Sequence, residues 1–468
     1  MISLKHLSQC TTILSGLEGL NLNQQMKFYT DSRLYTHPGA FVAIPGAKVN
    51  PLDLIQSLLN QHCPVVVFQK SPENDEKVND LKKKFPQTSF VEVKDSVTFL
   101  QELTHLHINE WKKSDHRHTV FAISGSNGKT THKEMLSHIL KSIRPGKIVS
   151  TEKNNNNHLG VPLTLLNVSS ETEMVVLELG SNHPGEIKVL CDIASPNAGL
   201  TTNIGATHLE FFGTEEEVFH EEGYLYYAVK SLSQEKGFYL INLDDPYLSR
   251  LPSFKSSITY GENSNAMARI NFLENGAQIT FQGQALSVTN DFITGRHNKC
   301  NLITCAFIAC HFYPQERSQI IQAAKNFKPT KNRSEWINFE DRPVYLDAYN
   351  ANPSSMKAAL EGFKEAVLEK KISLDEACIV LGDMNELGES GHKYHLEIGQ
   401  FIKSLGFQHV YFVGRYAGSY LEGFPHGHGR VSASQFKSEY RSDVLKQYRI
   451  HFIKGSRSLQ LESLFDIT

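Results

Sequence analysis

The chain alternates short, unbroken apolar runs with longer segments whose apolar residues recur at helical spacing. Val120-Phe121-Ala122-Ile123 is one such run, and residues 130–142 after it carry the helical pattern. Earlier runs fall at 41–44 and 64–68. A middle group falls at 120–124, 174–179, 198–203 and 237–242. A last group falls at 344–346, 377–381, 409–413 and 449–453, separated by helical segments such as 354–369 and 395–405. Strand alternating with helix predicts α/β units built on parallel sheets. Two polar stretches interrupt the alternation, Lys112-Lys113-Ser114-Asp115-His116-Arg117-His118 and Lys328-Pro329-Thr330-Lys331-Asn332, and read as linkers. The expected architecture has three domains. Residues 1–112 form a small mixed α/β domain, 113–327 a central parallel-sheet domain, and 328–468 a doubly wound, Rossmann-like domain.

Composition narrows the possibilities. A length of 468 residues suits about three domains. Lysine and arginine number 47 against 50 acidic residues, with no long basic tract, so nucleic acid is not an expected partner. No apolar run approaches the ~20 residues of a membrane span, and the start of the chain lacks the apolar core of a signal peptide. The seven cysteines are scattered without a Cys-x-x-Cys pair, the usage of free thiols in a reducing cytoplasm. Cys300, Cys305 and Cys310 are spaced around a helix axis, so packing explains them better than metal binding.

The chemistry concentrates after the run at 120–123. Gly125-Ser126-Asn127-Gly128-Lys129-Thr130-Thr131 places a glycine-rich turn between a strand and a helix, where backbone N–H groups bind phosphate. Lys129 is positioned to reach the β- and γ-phosphates, and the Thr130 hydroxyl to ligate Mg²⁺. The strict phosphate-loop pattern places a glycine where this chain has Ile123. Glu178 and Asn203 end later strands and His208 follows closely, at the sheet edge where open α/β folds bind ligands. A carboxylate and an imidazole near such a loop could hold Mg²⁺ and water.

Together these stretches resemble the Mur ligase family, over nearly the whole chain. Thr30-Asp31-Ser32-Arg33 with Pro38-Gly39-Ala40-Phe41 is similar to the family's nucleotide-sugar domain. The loop at 125–131 resembles the family's shorter phosphate loop, which accounts for Ile123. Asn156-Asn157-His158-Leu159-Gly160-Val161-Pro162 resembles its substrate loop. Gly295-Arg296-His297-Asn298 with Asn301 resembles its central asparagine motif. Arg333, the run Asp347-Ala348-Tyr349-Asn350-Ala351-Asn352-Pro353 and Leu381-Gly382-Asp383-Met384-Asn385-Glu386-Leu387-Gly388 point to the family's dipeptide-adding branch.

The resemblance implies a cytoplasmic bacterial enzyme, monomeric and not inserted in a membrane, that uses ATP and Mg²⁺. It implies that D-alanyl-D-alanine is joined to UDP-MurNAc-tripeptide through an acyl phosphate, in peptidoglycan precursor synthesis. It implies that Lys129 and the loop amides from Gly125 to Thr131 cradle the phosphates. Thr130 and Glu178 would hold one Mg²⁺ and His208 a second. Asn298 would meet the adenine, Arg333 the γ-phosphate, and Asp347 the ribose or the ordering of that contact. Ser32 and Arg33 would meet the uridine diphosphate, Asn156 and Asn157 the precursor, and Asn350 and Asn352 the dipeptide.

The chain departs from the family in two places. Family members carry a carbamoylated lysine fourteen residues after the motif histidine, and here that position is Glu222. Glu222 is expected to supply the carboxylate directly. The run Lys48-Val49-Asn50-Pro51 replaces a frequent Asp-Gly-His run, which leaves the contacts to the nucleotide-sugar open there. Two other readings remain: a Mur-like ligase adding a single amino acid, and a non-catalytic homologue that binds nucleotide or precursor.

Overall fold

The computed structural model describes residues 1–46, 49–232 and 237–465. Lys48 lies outside them. Three sheets follow one another along the chain. The first has six strands, parallel from Gln25–Tyr29 to Ser89–Val93, with the short strands Ile2–Ser3 and Ile13–Ser15 antiparallel at its edges.

The central sheet has nine strands and carries the phosphate loop. From Ile148–Ser150 through Met174–Glu178, Thr119–Ser124, Ala198–Thr201, Phe238–Asn242 and Ser257–Gly261 to Ala268–Leu273, every neighbouring pair is parallel. Strand Thr119–Ser124 is buried along its whole length. Its side chains alternate: Phe121 and Ile123 join one core with helices Lys129–Ile143 and Arg296–Phe312, while Val120 and Ala122 join the core on the opposite face. Cys305 is buried on Arg296–Phe312 and donates its thiol to the His132 carbonyl, a packing role.

The sheet also ends in two antiparallel strands, Gly276–Phe281 and Gln284–Thr289, which the apolar runs do not reveal. These strands are exposed on one face and too alternating to read as runs. Their signal is the turn chemistry. Gln282 and Gly283 take φ of 49° and 78°, the pair of positive angles that a tight two-residue hairpin requires.

The third sheet has six strands, in the order Glu335–Phe339, Arg342–Asp347, Ile450–Lys454, Ala377–Gly382, His409–Val413 and His428–Arg430. All neighbours are parallel except the first pair.

The first linker reading needs correction. Helix Ser96–Ser114 runs through Lys112 and Lys113, because its apolar face continues through Leu103, Ile108 and Trp111. The two lysines occupy its last turn, where positive charge favours the helix dipole. Only residues 115–118 connect it to the central sheet. Residues 326–334 hold no helix or strand, as the second linker reading expects. Among the described residues no helix is long and apolar enough to cross a membrane.

Several histidines are packed as neutral rings. Burial pushes His107, His132, His395 and His451 down to about 4, whereas an unfolded imidazole titrates near ~6.5. Below pH ~6.5 the unfolded chain therefore takes up protons that the folded chain refuses. Stability is full above that pH and falls progressively as pH drops toward about 4. Urea unfolding midpoints should decline steadily across this window; a midpoint that stays level there contradicts the assignment.

Candidate active site

The site forms where the central parallel strands end together. Register pairs Ile123 with Glu178, Leu200 with Ile123 and Thr201 with Ser124. The chain leaves strand Thr119–Ser124 through Gly125, at φ 119°, and enters helix Lys129–Ile143 through Gly128, at φ 79°. A Cβ on Gly125 would stand 2.2 Å from Thr202 Oγ1 and 2.8 Å from Thr202 N, so both conformation and space require glycine.

The loop is held from beneath. Gly125 N–H donates to Glu222 Oε2 at 2.7 Å, Ser126 N–H to the Asn203 carbonyl at 2.8 Å, and Asn127 N–H to Asn203 Oδ1 at 3.1 Å. Of the amides expected to cradle phosphate, these three are therefore spent on protein oxygens. That leaves Gly128, Lys129, Thr130 and Thr131, at the first turn of the helix, where no preceding turn supplies a carbonyl. Lys129 Nζ donates to the Gly125 carbonyl and lies 3.5 Å from Glu222 Oε1.

Glu178 is brought to the loop as expected. Its Oε1 accepts from Thr130 Oγ1 at 2.9 Å and from Asn156 Nδ2 at 3.0 Å, while Oε2 is buried with no hydrogen-bond partner. A half-satisfied buried carboxylate beside a hydroxyl is a donor set that suits a hard cation such as Mg²⁺. Among the described residues no group of three or more His, Cys, Asp or Glu side chains is gathered for a metal. His208, at φ 52°, instead has Nδ1 2.6 Å from Glu386 Oε2, a residue of the third unit. The neighbouring imidazole holds the Glu386 carboxyl below its ordinary range.

Glu222 brings its carboxylate directly to the loop. It is 2 % exposed, and both carboxylate oxygens face the loop, one on Gly125 N–H and one toward Lys129. Its backbone carbonyl accepts from Ser124 Oγ at 2.8 Å and Thr201 Oγ1 at 3.2 Å, which fixes the end of helix Glu215–Glu222 under the strand edge.

The third unit reaches this edge at three points. Asn352 Nδ2 donates to Asn127 Oδ1 at 2.6 Å, and Asn127 Nδ2 donates to Ser354 Oγ at 2.8 Å. Asn352 also caps helix Pro353–Glu369 by accepting from Ser355 N–H, so the loop contact rides on a rigid helix start. The Tyr349 hydroxyl donates to Asn154 Oδ1, and the Arg333 guanidinium lies 3.7 Å from the Tyr349 ring centroid. Glu386 makes the third contact. Asp347 orders the segment that carries Arg333: Oδ1 accepts from Ser334 N–H at 3.2 Å, and Oδ2 pairs with Lys454 at 2.5 Å. Asn350 turns Oδ1 onto Ala351 N–H and lends its carbonyl to Lys454.

The other expected residues spread outward. Asn298 is buried, its Nδ2 donating to the Thr294 carbonyl at 3.0 Å at the start of helix Arg296–Phe312. Asn157 accepts from Leu159 and Gly160 N–H, shaping its own turn, and lines a cavity of about 310 Å³ with Gly180, Glu186 and Leu190. Ser32 and Arg33 sit on a short helix of the first unit, where exposed Arg33 forks onto Asp31. That pair holds the Asp31 carboxyl down at about 2. Sequence reasoning gives no role to Asn203, Asn154, Glu221 or Glu386. Asn203 stands at an expected strand end and Glu386 lies within the run at 381–388, but nothing local marks Asn154 or Glu221.

Two family models match the chain. One is described as the Mur ligase middle domain, over residues 123–309, and the other as the Mur ligase, glutamate ligase domain, over residues 332–443. Relatives named UDP-N-acetylmuramoyl-tripeptide--D-alanyl-D-alanine ligase include one from Rickettsia prowazekii, 27% identical over 98% of this chain and 98% of its own length. Another, from Escherichia coli, is 28% identical over 98% of this chain and 97% of its own. The fold is that of MurF from Acinetobacter baumannii, with a TM-score of 0.80 at 24% identity over 99% of this chain and 98% of that one. MurF from Thermotoga maritima in complex with ADP gives 0.74 at 23% identity over 94% and 96%.

Gly125→Ala tests the loop directly. The added methyl collides with Thr202 backbone and side chain, and strain at this φ adds to it. ADP binding by calorimetry should weaken at least about tenfold with the fold retained. Unchanged affinity would contradict the description of the loop.

Proposed function

Because the chain belongs to the Mur ligase family, we propose that it is the ATP-dependent ligase joining D-alanyl-D-alanine to UDP-N-acetylmuramoyl-tripeptide, a step of peptidoglycan precursor synthesis. The observation that carries this reading is the Thr130–Glu178 pair at a phosphate loop, in a chain matched end to end by relatives of that activity. A substrate carboxylate oxygen attacks the γ-phosphorus of ATP. The new O–P bond forms as the bridging β–γ bond breaks, and ADP leaves. The dipeptide amine then attacks the acyl carbon, the C–O bond to phosphate breaks, and the nitrogen loses a proton. Phosphorylation is needed because a bare carboxylate has no leaving group.

The roles proposed for the residues rest on the family likeness, with the contacts above in support. Lys129 exchanges the Gly125 carbonyl for phosphate oxygens, and the first-turn amides of its helix bind the same charge. Thr130 and Glu178 are the residues that would hold Mg²⁺, with Glu178 Oε2 in reserve for it. Held by these two residues, Mg²⁺ would supply positive charge for the transferring phosphoryl group. With His208 Nδ1 facing Glu386, Nε2 is the nitrogen left for a second Mg²⁺, and Glu386 orients the ring. Arg333 meets the γ-phosphate, on a segment ordered by Asp347. Asn298 lies on the adenine side. Asn156 and Asn157 face the precursor peptide, Ser32 and Arg33 its uridine diphosphate, and Asn350 and Asn352 the dipeptide. On this reading residues 1–112 bind the nucleotide-sugar, 113–327 bind ATP and 328–468 bind the dipeptide, in a monomer of the bacterial cytoplasm. Contacts between the third unit and the loop close the site against water, protecting the acyl phosphate.

Phosphate release from ATP tests the proposal. With UDP-MurNAc-tripeptide present, D-alanyl-D-alanine should support turnover, while single amino acids or no amine should not. Lys129→Ala should lower turnover by about a thousandfold, the scale of losing a preorganised charge at the reacting phosphate. Turnover with a single amino acid would assign a different Mur-like ligase, and no release with any amine would leave only a binding protein.

A further inference from the structure

Helix Glu215–Glu222 ends in two adjacent buried carboxylates that point to different loops. Glu221 grips the turn after strand Met174–Glu178: Oε1 accepts from Ser181 Oγ at 2.8 Å and Ile187 N–H at 2.7 Å, and Oε2 accepts from Gly185 N–H at 2.6 Å. Glu222 grips the phosphate loop through Gly125 N–H and faces Lys129 at 3.5 Å. We propose that Glu222 is a positioning residue for phosphate transfer, acting on Gly125 and Lys129 through its own side chain and not as a ligand of Mg²⁺. This rests on the ligase reading and deepens it.

Three observations support the assignment. Each Glu222 oxygen already faces a protein donor: Oε2 accepts from Gly125 N–H, and Oε1 lies 3.5 Å from the Lys129 ammonium. Glu178 by contrast keeps Oε2 without a partner. Second, Gly125 sits at φ 119°, one of many conformations open to glycine, so a neighbour is needed to select it. The 2.7 Å bond from its N–H to a buried carboxylate supplies that constraint, since hydrogen bonds to charged groups are the stronger kind. Third, the carbonyl of Glu222 is held by Ser124 and Thr201, residues of the two strands that flank the loop, so the carboxylate is delivered from a fixed backbone. Lys129 is thereby kept over the loop, its ammonium shared between Glu222 and the Gly125 carbonyl, within reach of an incoming phosphate.

The test uses the full chain and ADP, with and without Mg²⁺. Glu222→Gln keeps an acceptor for Gly125 N–H and loses the charge; Glu222→Ala loses both. In the absence of metal, Glu222→Ala should bind ADP about tenfold more weakly, and the amides of residues 125–127 should exchange with solvent at least about tenfold faster. Glu222→Gln should hold ADP affinity within about threefold, keep those amides protected, and leave the Mg²⁺ concentration for half-maximal enhancement of ADP binding within about twofold of the unmutated protein. A tenfold rise in that Mg²⁺ requirement in Glu222→Gln would make Glu222 a metal ligand and overturn the proposal. Unchanged binding and exchange in Glu222→Ala would overturn it too. If Glu222→Ala does not fold, Glu222→Asp replaces it: the shortened carboxylate withdraws from Gly125 N–H, so ADP should bind more weakly and the residue 125 amide exchange faster, and no change in either would overturn the proposal. An unmutated protein that fails to bind ADP would instead remove the ligase reading, and this inference with it.

Discussion

Ile123 lies beside Glu178 and Ser124 beside Thr201 because the central strands run parallel in that register. Parallel strands end at a common edge, so one register sets the phosphate loop, a carboxylate and the turn at 202–207 next to each other. The backbone that leaves such an edge carries amides and carbonyls that no neighbouring strand satisfies, and out of water each must find a partner. Asn203 and Glu222 take three of these amides, and Thr202 Oγ1 donates to the Asn127 carbonyl at 2.6 Å. The loop's shape is thus a consequence of satisfying buried polar backbone. A one-residue shift of strand Met174–Glu178 would turn Glu178 toward the opposite core.

The same edge receives the third unit through small polar contacts. Asn127 meets Asn352 and Ser354, Asn154 meets Tyr349, and His208 meets Glu386. Individual hydrogen bonds contribute about 0.5–1.5 kcal/mol net, so the contacts at this edge add only modestly to the association of the two units. An equilibrium balanced at that level can be moved by ligands that prefer one arrangement. Asn127 is central to this coupling, since its backbone belongs to the phosphate loop while its side chain belongs to the contact with the third unit. Anything that displaces the loop is felt at the start of helix Pro353–Glu369, whose cap is the same Asn352.

Much of this arrangement is legible in the amino-acid sequence. The strand at 120–124 and the turn into a helix at Lys129 follow from an apolar run meeting glycines and a lysine. Glu178 can be placed at a strand end by the same logic, and its contact with Thr130 needs only the parallel neighbour that alternation predicts. The features that local pattern hides have physical causes. The strands at 276–289 leave one face half-buried or exposed, so they lack the unbroken apolar run of a buried strand and announce themselves only through the Gln282-Gly283 turn. Lys112 and Lys113 look like linker but belong to a helix, because the apolar face beneath them decides and their charges are tolerated in the last turn. Which loop amides face outward depends on partners some 80 to 100 residues away, Asn203 and Glu222, and no local pattern encodes those distances.

Glu178 and Glu222 show why charge alone does not define a cation site. Both are carboxylates, both are nearly out of water at 4 % and 2 % exposure, and both touch the same loop. Burying a carboxylate is costly unless its lone pairs are taken. Glu222 meets it with one hydrogen bond from Gly125 N–H and an ion pair with Lys129 at 3.5 Å, so a cation there would compete with the ammonium. Glu178 meets it with two donors on one oxygen and none on the other. A cation beside Thr130 would satisfy the second oxygen without displacing anything, so hydrogen bonding, not charge, separates a carboxylate left open to a cation from one already turned onto the loop.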